Sequence, residues 1–110
     1  MAEAKSASDR RRGKRILASI AIELKNKNGF SLQSTSNISV GGAFFDRAIP
    51  YAVGSKVRVS FTLPGDEYPI LCDGEVASVP DRKNLGMGVR FINVKPVDKA
   101  RLEAFTRYKR

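Results

Sequence analysis

The sequence predicts a mainly β protein, an antiparallel barrel or sandwich with one C-terminal α-helix, from three observations. Apolar and polar residues alternate with a period of two in several segments, turn residues separate these segments, and helical spacing replaces the alternation after Pro96. Short alternating strands joined by turns are typical of antiparallel barrels and sandwiches. The chain has 110 residues, which is enough for one core and too little for two.

The first two strands are predicted to form a hairpin. The segment from Ile16 to Leu24 is apolar on one face throughout, which indicates a half-buried strand. Asn28 and Gly29 follow it and are typical of a hairpin turn, because both residue types tolerate positive φ. On the returning strand we expect three side chains to face inward and three outward: Phe30, Leu32 and Ser34 inward, and Ser31, Gln33 and Thr35 outward.

Three later segments alternate in the same way and complete the strand body, which we expect to cover about residues 15–94. They span residues 57–63, 70–76 and 86–94. The second of them places Cys72 on its apolar face, which predicts a structural role for this thiol rather than a reactive one.

The pattern changes after Pro96, a residue that suits the first position of a helix. From there Leu102, Phe105 and Tyr108 recur at every third position. This spacing predicts a helix over about 97–109 whose apolar side packs against the strand body.

The charge of the chain is strongly positive and lies mostly at its two ends. Twenty Lys and Arg against eleven Asp and Glu give a net charge of +9, which favours anionic partners such as nucleotides, nucleic acids or a membrane surface. Residues 1–15 and 95–110 each carry a net +4, whereas residues 16–94 carry only +1. A nucleic-acid polymer would favour bases spread along the binding strands, so this distribution argues against such a partner.

Residue types that are missing exclude several kinds of chemistry. With no histidine and one cysteine, the chain cannot form an internal disulfide, a common zinc site or a Ser-His or Cys-His nucleophile pair. We therefore expect a binding protein without a metal or cofactor, and not an enzyme. Residues 1–9, expected to form a mobile tail, lack the apolar block of a secretory signal, and no apolar stretch approaches the roughly 20 residues of a membrane span. These features predict a cytoplasmic protein that does not insert into a membrane.

Five bases in six residues, from Arg10 to Arg15, directly precede the first strand. An isolated charge run of this kind is commonly a solvated tail. Four of the five are arginine, however, and a guanidinium binds phosphate through paired hydrogen bonds, stacks on a base, or contacts O6 and N7 of guanine. The composition of the run favours a guanine nucleotide.

A second polar segment covers Asn37 to Gly42. Asn37 and Ser39 are two positions apart, so an extended strand places both side chains on one face. Gly42 lacks a side chain where a ligand could approach the backbone. The alternative interpretation, a strand end followed by a glycine turn, stays open on these residues alone.

The two segments together resemble the signature of the PilZ domain, a bacterial receptor for cyclic di-GMP. Five positions match its RxxxR and (D/N)xSxxG motifs: Arg11 and Arg15 the first, and Asn37, Ser39 and Gly42 the second. The segment GMGVRF, residues 86–91, also looks like the last barrel strand of that family. The resemblance covers about residues 10–105 and implies a six-stranded antiparallel barrel with a C-terminal helix, in a domain placed at 10–110.

The resemblance also implies a role for each motif residue. Arg11 and Arg15 would grip phosphate and guanine, and Gly42 would admit the ligand. Asn37, which stands at the motif's acidic-or-amide position, and Ser39 would complete the polar contacts. In some relatives an arginine directly before RxxxR accompanies a stacked pair of ligands, so Arg10 implies two cyclic di-GMP molecules per chain.

The function implied is that of a second-messenger receptor. Ligand would order residues 10–15 and so change the surface shown to an unidentified effector protein, in processes such as motility and biofilm formation. One alternative is a PilZ-like adaptor that binds proteins without the nucleotide, although the intact motif residues argue against it. Another is a small barrel that binds nucleic acid through its basic ends, which would show a steep salt dependence.

Overall fold

A computed structural model describes residues 15–80 and 85–108 of the chain. In these residues eight antiparallel strands form one curled sheet that is followed by one helix, which confirms the predicted fold class. The elements are β1 (Ile16–Leu17), β2 (Ala21–Asn26), β3 (Gly29–Ser34), β4 (Asn37–Ser39), β5 (Gly42–Phe45), β6 (Lys56–Phe61), β7 (Ile70–Ser78), β8 (Met87–Ile92) and α1 (Pro96–Tyr108). Across the sheet the order is β1-β4-β5-β8-β7-β6-β2-β3.

The described residues contain eight strands rather than the expected six because two long segments bend. The segment predicted as one strand from Ile16 breaks between β1 and β2, and the returning segment breaks between β3 and β4. Thr35 joins the two breaks: its hydroxyl accepts a hydrogen bond from Ile20 N at 3.0 Å and donates one to Ala18 O at 2.5 Å. The two segments pair with each other on both sides of this corner, β1 with β4 and β2 with β3, but their other neighbours differ, because β2 pairs with β6 and β4 with β5. Six chain segments therefore give eight strands.

The same corner explains why the predicted orientation of β3 is wrong. Thr35 is buried, with 4% of its surface exposed, because its hydroxyl serves the corner. Alternation then turns Phe30 and Leu32 outward, where they are 68% and 67% exposed. The inward positions of β3 carry Ser31 and Gln33, which pair with the buried part of β2.

The core lies on the inner face of the curled sheet, as the alternation in the later segments predicts. Val57, Val59 and Phe61 are buried on β6, and the ring of Phe61 stacks on Phe91 with 5.6 Å between centroids. Cys72 is buried on β7, and burial is the main cause that raises the pKa of its thiol to about 11. The structural role predicted for this cysteine agrees with its burial, since so little thiolate forms near neutral pH.

Helix α1 begins at Pro96, one residue before the predicted start, and packs against β4. Its Leu102 is fully buried, and Phe105 is half-buried against the core. Arg101 fastens the helix to the loop between β6 and β7, because its guanidinium binds Asp66 of that loop at 3.0 Å. The same guanidinium binds Asp98 within the helix at 2.8 Å. Residues 15–80 and 85–108 include no helix with the length and apolar character of a transmembrane span.

Candidate functional site

The candidate site lies on the face of the sheet opposite the core, where β4, β5 and β8 run side by side. Ile38, Ala43 and Val89 point into the core, so the residues next to them in each strand point the other way. Strand pairing aligns these residues in two rows: Asn37, Phe44 and Gly88 in one, and Ser39, Gly42 and Arg90 in the other. A cleft of about 650 Å³ opens over the two rows, a volume typical of small-molecule sites.

Arg15 and Asn37 meet at this cleft, although they lie 22 positions apart in the sequence. Arg15 precedes β1, and Leu17 of β1 pairs directly with Asn37 of β4. The Arg15 guanidinium donates a hydrogen bond from Nη1 to Asn37 Oδ1 at 2.6 Å. An amide is neutral, and no carboxylate among the described residues forms an ion pair with Arg15. The pair therefore leaves a full positive charge at an exposed position beside the cleft.

Ser39 also lines the cleft, but its side chain is 4% exposed and engaged locally. The hydroxyl donates to Gly42 O at 3.4 Å and accepts from Gly41 N at 3.2 Å. These two bonds hold the turn that joins β4 to β5. In this structure Ser39 shapes the wall of the cleft rather than presenting a free hydroxyl to it.

Gly42 lines the cleft as well, and the structure gives a reason for this glycine that the sequence did not suggest. A Cβ at this position would stand 2.3 Å from the carbonyl oxygen of Val89 and 3.2 Å from the Cα of Arg90. Both atoms belong to the backbone of β8 and cannot rotate away. The missing side chain therefore allows β5 and β8 to approach each other, whether or not a ligand is bound.

Phe44, Gly88 and Arg90 also line the cleft, and none of them is predicted as a site residue from the sequence. Phe45 is buried in the core, so its neighbour Phe44 faces the cleft and is half-buried there. A Cβ on Gly88 would lie 3.6 Å from the Phe44 ring, so this ring packs along a bare stretch of β8. Two adjacent phenylalanines in a strand were the available signal, since only one of them can face the core.

Arg90 is the charged residue of the GMGVRF segment, and it is held by an acid. Its guanidinium donates a hydrogen bond to the carboxylate of Glu75, the residue directly opposite on β7. Lys56 of β6 approaches the same carboxylate at 3.6 Å. The hydrogen bond from Arg90, and then the charge of Lys56, lower the pKa of Glu75 from its ordinary value.

The two other predicted site residues, Arg10 and Arg11, lie outside the described residues. The structure thus brings together Arg15, Asn37, Ser39 and Gly42 at one cleft, and the remainder of the arginine run stays a prediction.

A family model for the PilZ domain matches residues 9–108. A comparison with curated proteins found no match. Among solved structures, the chain is similar to the Bacillus subtilis inhibitor of motility MotI/DgrA, with a TM-score of 0.75 and 20% identity, covering 89% of this chain and 49% of that one. The chain therefore spans about half the length of MotI/DgrA.

Two further solved structures are isolated PilZ domains. The PilZ domain of YcgR from Escherichia coli, solved with c-di-GMP, has a TM-score of 0.65 and 23% identity over 89% of each chain. The PilZ domain of CeSA from a cellulose-synthesizing bacterium has a TM-score of 0.60 and 16% identity, covering 86% of this chain and 96% of that one. At these identities the likeness shows a shared fold.

Proposed function

Because the chain belongs to the PilZ domain family, we propose that it is a receptor that binds cyclic di-GMP in the cleft beside Arg15 and relays the signal to a protein partner. The observation that carries this proposal is the hydrogen bond between Arg15 and Asn37. It joins one residue of each motif at the same cleft, as a ligand that contacts both motifs would require.

The chemistry of the cleft suits this ligand. Cyclic di-GMP carries two phosphates and two guanines, and the charge of Arg15 is not neutralised by any described carboxylate. A guanidinium can bind a phosphate through two parallel hydrogen bonds or contact the O6 and N7 acceptors of guanine. The half-buried ring of Phe44, beside the bare backbone of Gly88, adds a flat apolar surface on which a purine can lie.

The proposal assigns the remaining motif residues by position. Asn37 would orient Arg15 and offer its amide to the ligand, whereas Ser39 would act by holding the turn between β4 and β5. Arg10 and Arg11 would close over the bound nucleotide and contact its phosphates, with Arg10 favouring a second stacked molecule. Ordering this segment costs on the order of 2 to 5 kcal/mol, which two charge-assisted hydrogen bonds of about 1.5 to 3 kcal/mol each can offset.

The ligand of one structural relative and the function of another support a signalling role. The YcgR domain was solved with c-di-GMP bound, and MotI/DgrA is an inhibitor of motility. For this chain we propose the same class of ligand, a cytoplasmic effector protein as the recipient of the signal, and control of motility or biofilm formation as the outcome.

Calorimetric titration of the full chain with cyclic di-GMP tests the proposal. We expect binding that GTP does not displace, and a loss of about ten- to a hundredfold in affinity for Arg15→Ala, because one charge-assisted contact is removed. Arg58→Ala is the matched control, since Arg58 is an exposed strand arginine paired with Asp73 at 3.0 Å and does not line the cleft.

Two outcomes would contradict the proposal. If the wild-type chain gives neither heat nor a shift in melting temperature at ligand concentrations in the range of tens of micromolar, the nucleotide-free adaptor becomes the better interpretation. If Arg58→Ala weakens binding as much as Arg15→Ala, the effect is one of net charge, and the cleft is not the binding site.

A further inference from the structure

Arg90 lies outside both motifs, yet it faces the cleft from β8. It stands directly opposite Gly42 on one side and Glu75 on the other. Lys56 stands opposite Glu75 in turn, so these residues form one continuous row across β5, β8, β7 and β6. This row of residues therefore links the cleft, which contains Gly42 and Arg90, to Lys56 on β6, which lies outside the cleft.

Glu75 occupies the centre of this row between two cations. Its carboxylate accepts a hydrogen bond from the Arg90 guanidinium and lies 3.6 Å from Lys56 Nζ. The Glu75 side chain is 22% exposed, whereas those of Arg90 and Lys56 are 48% and 72% exposed. Both cations are therefore accessible from solvent while the carboxylate between them is partly covered.

The two arginines that line the cleft among the described residues consequently have different partners. Arg15 rests on a neutral amide and keeps its charge available to an anion. Arg90 rests on a carboxylate, which occupies the guanidinium that would otherwise face an incoming phosphate. Among the described residues, the cleft therefore contains one open guanidinium, that of Arg15, and one that is blocked, that of Arg90.

We propose that Glu75 is a built-in competitor of the ligand: a phosphate that enters the cleft takes Arg90 from Glu75, and Glu75 is then retained by Lys56. This inference rests on the proposed function and adds to it an affinity-setting residue outside the motifs. The exchange is feasible because exposed ion pairs are weak, whereas a guanidinium binds phosphate through two parallel hydrogen bonds. Lys56 keeps Glu75 from being left as an unpaired charge.

The exchange has a consequence for signalling. When Arg90 leaves Glu75, the carboxylate keeps only its contact with Lys56 on β6, outside the cleft. Ligand occupancy is thereby converted into a change of charge pairing on a strand that the ligand does not touch. This gives the partner-facing surface a second difference between the free and bound states, in addition to the ordering of residues 10–15.

Four variants of the full chain test the proposal by titration with cyclic di-GMP. Glu75→Gln should bind about two- to fivefold more tightly than wild type, because Arg90 no longer has a competing carboxylate. Arg90→Gln should bind about five- to thirtyfold more weakly, because a phosphate contact is lost. Asp73→Asn and Arg58→Gln are the matched controls, since they change net charge equally in a neighbouring strand ion pair outside the cleft.

A double variant and an NMR measurement on the wild-type protein distinguish the proposed competition from misfolding of a variant and from a general effect of net charge. In the Arg90→Gln background, Glu75→Gln should tighten binding no more than Asp73→Asn does. In the wild-type chain, the NMR signal of the Arg90 Nε–H group should move on adding cyclic di-GMP, while that of Arg58 stays in place.

The inference is overturned if Glu75→Gln binds no more tightly than Asp73→Asn, or if the Arg90 signal does not move on saturation. If the wild-type chain binds cyclic di-GMP, either result refutes the role of Glu75 as a competitor and leaves the proposed receptor function unaffected. Absence of binding by the wild-type chain instead refutes the receptor function, and this inference with it.

Discussion

The cleft at Arg15 and a larger groove further along the same sheet differ in how their charges are balanced. The groove has a volume of about 840 Å³ and runs over β2, β6 and β7 on the face opposite the core. Two of its cations, Lys56 and Arg58, are paired with carboxylates of β7 at 3.6 and 3.0 Å. Among the described residues, Arg15 of the smaller cleft is paired only with an amide. Lys25 and Lys27 also line the groove and form no ion pair among the described residues, so neither volume nor charge alone selects the cleft. The cleft is favoured because Arg15 and Asn37, one residue of each motif, meet there.

The two regions also differ in what their strands present on this face. Glycines at positions 42 and 88 leave the backbone bare in the cleft. In the groove, β6 and β7 instead carry charged side chains on this face, among them Arg58 and Asp73. The inner face follows the same alternation in both regions, so the difference between a binding surface and a stabilising surface lies in the outward residues.

The largest expected effect is the loss of stability caused by Gly42→Ala. This variant separates the role of a cleft glycine in strand packing from its role in ligand binding. The new Cβ would meet the backbone oxygen of Val89 at 2.3 Å, so β5 and β8 must move apart. We expect the free energy of unfolding to fall by about 1 to 3 kcal/mol, as is typical of overpacking. Thermal or urea unfolding of the apo chain measures this effect directly.

Gly88→Ala is the matched control for that variant. Its Cβ would lie 2.5 Å from Ser78 Oγ, the end of a side chain that can rotate away. The expected loss of stability is under about 1 kcal/mol, while binding of cyclic di-GMP weakens because the cleft is partly filled. Equal destabilisation by the two variants would show that close approach of β5 and β8 is not what requires Gly42.

A smaller effect is expected on the pKa of Glu75, which lies between Arg90 of the cleft and Lys56 of the groove. Arg90 and then Lys56 lower its pKa, so the carboxylate adds stability above its ordinary pKa, and this contribution is lost as pH falls through the lowered value. Arg90→Gln should move the NMR titration midpoint of Glu75 upward, towards its ordinary value, without fully restoring it because Lys56 remains.

Arg58→Gln is the control for this titration, since Arg58 pairs with Asp73 instead. The midpoint of Glu75 should not change in that variant. An unchanged midpoint in Arg90→Gln, or equal shifts in both variants, would contradict the pairing of Arg90 with Glu75.

Much of the fold follows from local pattern in the sequence. Alternation correctly places Val57, Val59 and Cys72 in the core, and the helix begins at Pro96, within one residue of the predicted start. The inverted orientation of β3 shows the limit of this reasoning. Thr35 looks like an outward polar residue, and only its two hydrogen bonds to the opposite segment make its burial favourable. Such a corner depends on contacts between distant residues that periodicity does not reveal.

The candidate site was predictable to a similar extent. The motif residues Asn37, Ser39 and Gly42 do line one cleft with Arg15. Arg90 was missed because its role depends on strand register, which places it opposite both Gly42 and Glu75. The reason for Gly42 was also out of reach, since the approach of the β8 backbone to β5 is a property of the folded sheet.

The central claim is that the small cleft, and not the larger groove, holds cyclic di-GMP. Selective ¹⁵N-glycine labelling tests it most directly, because Gly42 and Gly88 lie in the cleft whereas Gly29 pairs with Asn26 at the edge of the groove. We predict that cyclic di-GMP shifts the amide signals of Gly42 and Gly88 and leaves that of Gly29 in place. A shift at Gly29 with Gly42 and Gly88 unmoved would contradict the claim.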